Sequence, residues 1–97
     1  WRERAFEVLL EGQWLSGTFD RVHLLKDSNG IISGADLIDY KTDRIDRDNP
    51  VEQAVARHRP QMECYRLALS QLTGLHPESI RMTLVFIRAC RTVSLEY

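Results

Sequence analysis

Asp36-Leu37-Ile38-Asp39-Tyr40-Lys41 is the stretch on which the fold turns. It reads as a short apolar strand carrying a carboxylate and an amine two residues apart. Side chains at i and i+2 of a strand share a face. Leu37, Asp39 and Lys41 therefore stand on one side, and Ile38 and Tyr40 on the other. Two explanations suit such a pair: an edge-strand ion pair, or a metal ligand beside a catalytic ammonium. Asp36 reads as no more than a polar strand start.

Working outward, residues 4–10 alternate, with Phe6, Val8 and Leu10 on one face, and predict a strand. Glu11-Gly12 supplies a tight turn, and residues 13–25 predict a second, longer strand, giving an antiparallel hairpin. Gly17 inside that strand marks a bulge or a close approach. Asp20, three residues on, is out of place in a strand interior unless exposed or functional. Residues 26–34 read as a polar turn, and the third strand spans about 35–41. The polar run 42–49 reads as a solvated loop or as a mobile loop touching substrate. Asn49-Pro50 suggests an N-cap and first-turn proline for a short helix to His58. Pro60 should break that helix and begin another to Leu72, with Tyr65, Leu69 and Leu72 on its apolar stripe, broadened by Met62 and Leu67, and Gly74 as its stop. Gln61 and Tyr65, one turn apart, share a face. Strands at 80–89, dense enough to be buried on both faces, and at 92–97 close the order β-β-β-α-α-β-β. That order predicts an α/β or α+β sheet with helices packed on one face.

The 97 residues suffice for one domain with a modest core. A net charge of −1 argues against a strongly basic duplex binder but not against a nucleic-acid enzyme whose metal ions supply local positive charge. Cys64 and Cys90 are too few for a disulfide framework and lack metal-site spacing, so both are expected to be packed, reduced thiols. No apolar run reaches the roughly 18 residues of a membrane span. The opening at Trp1, without Met, suggests a piece of a longer protein. His23, His58 and His76 lack any nucleophile context and read as surface or loop residues.

A meander would bring Asp20 and Asp39 onto neighbouring strands. Two carboxylates and the Tyr40 carbonyl form a sparse oxygen site for a hard cation such as Mg²⁺. Lys41 beside it could orient a metal-bound water or neutralise phosphate charge, an arrangement suited to phosphodiester hydrolysis. By spacing alone the signal is weak, since an acid followed two positions later by lysine is common.

Three stretches in order make the chain specific: Gly17-Thr18-Phe19-Asp20, Asp39-Tyr40-Lys41-Thr42 and Gln61-Met62-Glu63-Cys64-Tyr65. They resemble the G-x-x-D, D-Y-K-T and Q-x-x-x-Y motifs of the RecB/AddA-type nuclease domain of the PD-(D/E)xK superfamily, which closes many bacterial helicase–nucleases. Glu3-Arg4-Ala5-Phe6 resembles the family's first strand, and Leu84-Val85-Phe86 with Thr92-Val93-Ser94-Leu95 its last two. The resemblance implies a restriction-endonuclease-like α/β core with a mixed sheet. It implies Asp20 and Asp39 as metal ligands with the Tyr40 carbonyl, Lys41 as the catalytic lysine, and Gln61 and Tyr65 lining the site. Arg21, Thr42 and Arg44 are candidate phosphate contacts.

The implied cofactor is Mg²⁺, with Mn²⁺ as an alternative. The implied partners are DNA, helicase domains of the same parent chain and a second recombination subunit, in a bacterial cytoplasm. The implied activity is an exodeoxyribonuclease-type cleavage in double-strand break repair. A non-catalytic nuclease-fold module for DNA binding or docking is the alternative. The family's helix before the first strand, which often completes the metal site, has no counterpart here. One sheet face is then expected to be open, and the 97 residues alone are expected to be incomplete as an enzyme. There is no Walker loop for a helicase motor, and two cysteines do not match the four of the family's iron–sulfur variant.

Overall fold

The computed structural model describes residues 2–95, and the side chain of Arg2 is not described. Five strands form one mixed sheet in the order β1 (Arg2–Leu10), β2 (Gln13–Lys26), β3 (Ile32–Lys41), β4 (Ile80–Phe86) and β5 (Arg91–Leu95). The first three run as an antiparallel meander, β4 lies parallel to β3, and β5 returns antiparallel to β4. The parallel step requires a crossover. It is made by one helix, α1 (Val51–Thr73), followed by a 3₁₀ turn at Pro77–Ser79. This is the α/β, restriction-endonuclease-like core expected from the sequence, with its helix on one face of a mixed sheet.

Local chemistry explains the elements. Leu10 faces Gln13 across a two-residue turn in which Glu11 and Gly12 both adopt positive φ, 49° and 78°. Such primed turns match strand twist. At the far end of β2 the Asp27 carboxylate accepts hydrogen bonds from the backbone N–H groups of Asn29 and Ile31, which closes the loop to β3. Gly74, left-handed at φ 78°, ends α1 by donating its N–H to the Ser70 carbonyl.

Several expectations are corrected. The segment from 50 to 72 is one helix, not two. Pro60 lies exposed within it. The buried Val51 and Ala54 before it and Met62 and Leu69 after it join the same core. Shared packing on both sides outweighs the one hydrogen bond the proline cannot donate. Pro50, not Asn49, is the N-cap, and no side chain caps the helix. Leu67 and Leu72 fall outside the core face and are 44% and 47% exposed. β3 begins at Ile32 rather than near 35, so Asp36 is mid-strand and pairs with Arg81 on the face away from the helix at 3.5 Å. β4 ends at Phe86, and Ile87–Ala89 turn as 3₁₀. Along β4 the residues alternate, with Ile80, Met82, Leu84 and Phe86 buried and the others more open, because the helix covers only one face. The end of the last expected strand, 96–97, lies outside the described residues. Cys64 and Cys90 are free but exposed rather than packed.

Phe19 and Val22 are both buried, a spacing of three where a regular strand gives two. β2 therefore changes phase between them. Its first part pairs with β1 as far as Arg21↔Arg2, and its second part pairs with β3 from Arg21↔Ile38 onward. Beyond Ile38, β3 continues against β4 alone, through Asp39↔Leu84, Tyr40↔Val85 and Lys41↔Phe86. The sheet thus forks between β2 and β3.

Candidate active site

Asp20 sits at the crotch of that fork. Its Oδ2 accepts the backbone N–H of Tyr40 at 2.9 Å, serving a donor that the interrupted ladder would otherwise leave unpaired. Its carboxylate also acts on that of Asp39, whose pKa it helps to raise. Asp39 is 6% exposed. Lys41 Nζ lies 2.5 Å from Asp39 Oδ2. The strand alternation that puts Leu37 into the core delivers Asp39 and Lys41 to the helix side, as the sequence predicts.

α1 completes the cluster. Gln61 Oε1 accepts from Lys41 Nζ at 3.1 Å, and Gln61 Nε2 donates to the Tyr65 hydroxyl at 3.4 Å. An ammonium only donates, so the amide oxygen must face Lys41 and the amide nitrogen must face Tyr65. Tyr65 packs edge-on against Phe6 and Phe19, whose own rings stack with centroids 4.3 Å apart. Its hydroxyl lies over Gly17, 2.9 Å from where a Cβ would be. The three sequence motifs are therefore one object. The glycine makes room for the tyrosine, the tyrosine seats the glutamine, and the glutamine holds the lysine beside Asp39.

Electrostatically the site is acidic at its base. Burial pushes the Asp39 carboxyl above the usual carboxylate range, the neighbouring Asp20 adds to the rise, and the Lys41 ammonium opposes it without cancelling it. Two adjacent carboxylates that resist joint ionisation form a donor set that a divalent cation relieves. With the Tyr40 carbonyl between Asp39 and Lys41 in the chain, every candidate donor is a hard oxygen. The residues present fit such an ion. Among the described residues there is no cluster of three or more acidic, histidine or cysteine side chains placed to hold a metal ion.

Of the phosphate candidates, Arg21 lines the fork with Glu3, Asp20 and Tyr40 around a cavity of about 560 Å³. Thr42 is exposed, and Arg44 is exposed and pairs with Asp46 at 3.4 Å. One group escaped sequence reasoning. Asp43 is not merely solvated: it bonds the ring Nε2 of His58 at 2.9 Å and pairs with Arg57 at 2.7 Å, and so ties the loop after β3 to α1. Burial raises the Asp43 carboxyl pKa, but the hydrogen bonds from Arg57 and His58 outweigh it and hold it below the usual value. His58 lies three residues before Gln61, which puts both on one helix face. That spacing was the available signal. Arg66 is also buried, and donates to the Leu95 carbonyl at 2.9 Å.

The fold agrees with the comparisons to known proteins. Residues 1–96 match the PD-(D/E)XK nuclease superfamily, and the chain belongs to that family. It is also 36% identical over 108 aligned positions to an ATP-dependent helicase/nuclease subunit of Limosilactobacillus fermentum (strain NBRC 3956 / LMG 18251). The match covers 97% of this chain and 8% of that protein, so the chain spans a small part of its relative's length. No helix among the described residues is long and apolar enough to cross a membrane.

Proposed function

We propose that these residues form a metal-dependent DNA nuclease domain within a longer helicase–nuclease chain acting on DNA ends in double-strand break repair. The observation that carries the reading is the meeting of Asp20, Asp39 and Lys41 at the fork, with Lys41 seated by Gln61. Asp20, Asp39 and the Tyr40 carbonyl would hold Mg²⁺, or Mn²⁺ in its place. Such an ion polarises a phosphoryl oxygen and acidifies a water when bound.

The chain's own groups do the rest. Lys41 directs its ammonium toward the attacking water and the phosphate, where negative charge grows as the water oxygen adds to phosphorus and the bond to one deoxyribose oxygen breaks. Asp39 holds the ammonium in place. Gln61 fixes its direction, because Tyr65 fixes Gln61. Membership of the nuclease superfamily supports the hydrolytic reading, and the helicase/nuclease relative supports a parent chain with motor domains and a second subunit. A bacterial cytoplasmic setting goes with DNA as the substrate.

The test is cleavage of linear DNA by the intact protein with Mg²⁺ present or chelated, comparing Asp39→Ala and Lys41→Ala with the parent. Both variants should lose at least about a hundredfold in rate, the scale of removing one preorganised charge-stabilising group. Cleavage by both at the parental rate sinks the site assignment. DNA binding without any cleavage by the parent favours a docking module instead.

A further inference from the structure

The sheet fork between β2 and β3 exposes side chains of both strands. On the helix side stand Asp39 and Lys41, with Tyr65 packed edge-on against Phe6 and Phe19 beside them. At the fork lies a cavity of about 560 Å³ lined by Glu3, Asp20, Arg21 and Tyr40, within the range of sites that take a small ligand. Its walls come from the two diverging strands. Tyr40 stands on β3 with its side chain 42% exposed, on the face opposite Asp39 and Lys41. Arg21 stands on β2, exposed, and no carboxylate pairs with it among the described residues. Glu3 occupies the remaining rim.

Resting on the nuclease reading above, we propose that this cavity, which adjoins Asp20, is a nucleotide-binding subsite. In it the Tyr40 ring stacks a nucleobase next to the scissile phosphate, and the Arg21 guanidinium holds the adjoining phosphate. The chemistry assigns the parts. An exposed aromatic ring next to an unpaired guanidinium is the combination that holds a base and its backbone without reading sequence. Guanidinium planes pair with phosphate oxygens in a fork that a single ammonium lacks. The Glu3 carboxylate repels phosphate, so the backbone runs along the Arg21 rim and the base lies toward Tyr40. Because Tyr40 and Lys41 are successive residues on opposite faces, the strand of DNA bends around the end of β3. One nucleotide then sits outside the sheet and the scissile phosphate sits at the carboxylates.

The test uses short fluorescein-labelled single-stranded oligonucleotides bound by the intact protein in EDTA, so that no cleavage occurs. One set carries a single abasic nucleotide scanned through every position. The parent should lose affinity at one scanned position, by about tenfold, the scale of one base–aromatic stack. Tyr40→Leu should bind the intact oligonucleotide about tenfold more weakly and should be indifferent to the abasic position. Tyr40→Phe should bind as the parent does, since the ring remains. Arg21→Gln should weaken intact and abasic oligonucleotides alike and reduce the slope of log affinity against log salt by about 0.7. The subsite is overturned if Tyr40→Leu keeps the parental affinity, or if it stays as sensitive to the abasic scan as the parent. A parent that cleaves DNA with Mg²⁺ while Tyr40→Leu passes through this assay unchanged removes only the subsite. A parent that neither binds nor cleaves removes the nuclease reading and the subsite together.

Discussion

A methyl group at position 17 would sit 2.9 Å from both the Phe6 ring edge and the Tyr65 hydroxyl, closer than real side-chain contacts allow. Gly17→Ala should therefore destabilise the fold by about 1–3 kcal/mol, the usual cost of overpacking, read as a lower urea midpoint at unchanged m-value. It should also slow cleavage by more than the fraction unfolded explains, because the displaced hydroxyl loosens Gln61 and Lys41. Equal loss of activity and folded fraction would show that the cradle is only structural. Asp39 makes the opposite point. Its ionised form is disfavoured by burial and by Asp20, so Asp39→Asn should be at least as stable as the parent at neutral pH while failing to cleave. Mg²⁺ should raise the parent's Tm and leave that of Asp39→Asn unmoved, and an equal shift in both would place the ion elsewhere. At this scale the sequence was highly legible. The spacing of Asp39 and Lys41 gave their shared face, and the motif order gave Gln61 and Tyr65. It did not show that glycine, tyrosine, glutamine and lysine touch in series, because only the Gln61–Tyr65 contact is local, while Lys41–Gln61 and Gly17–Tyr65 join residues 20 and about 48 positions apart that only the register and helix placement bring together.

Between residue and molecule stands the connection from β3 to α1. The run 42–49 looks like solvated chain, and its composition gives no reason to think otherwise. It is instead held at both ends. Asp46 Oδ1 accepts from the N–H groups of Asp48 and Asn49, the Asn49 amide donates to the Arg44 carbonyl, and Asp43 reaches His58 and Arg57. Asp43→Asn should release this loop, and trypsin should then cut after Arg44 or Arg47 faster than in the parent. Unchanged cleavage would mean that Asp46 and Asn49 suffice. The pH sign follows from the depressed Asp43 pKa. Its contribution is fully present above the ordinary carboxylate value of 3.8 and disappears as pH falls through the lower folded-state value. The parent's loop should accordingly loosen only in strong acid. The continuity of the helix is hidden from the sequence for a related reason. A proline argues locally for a break, while the core positions on both sides of Pro60 are set by the whole sheet.

For the whole molecule, a net charge of −1 limits how DNA can be held. Arg57 pairs with Asp43, Arg59 with Glu63 and Arg44 with Asp46, so much of the basic surface is already answered by acids. Affinity for DNA should then depend on a few local cations, and log affinity should fall with log salt at a slope of only about −1 to −3, near 0.7 to 0.9 for each phosphate contacted. A slope near −8 would require a broad basic track that this chain lacks. The mixed sheet was legible from the family resemblance, but the parallel pairing of β4 with β3 and the burial of only one face of β4 were not, because both depend on where the helix crosses. The handover of β2 from one neighbour to the other was not legible, because it depends on pairing rather than on composition.

That handover has a consequence for how such a domain can lose its activity. The interval between Gly17 and Asp20 spans the point at which β2 changes phase, so both residues serve the same side of the sheet despite an odd separation. One residue added or removed within it would put the two out of phase, so that either the glycine leaves the Tyr65 hydroxyl or the carboxylate turns to the opposite surface together with Val22.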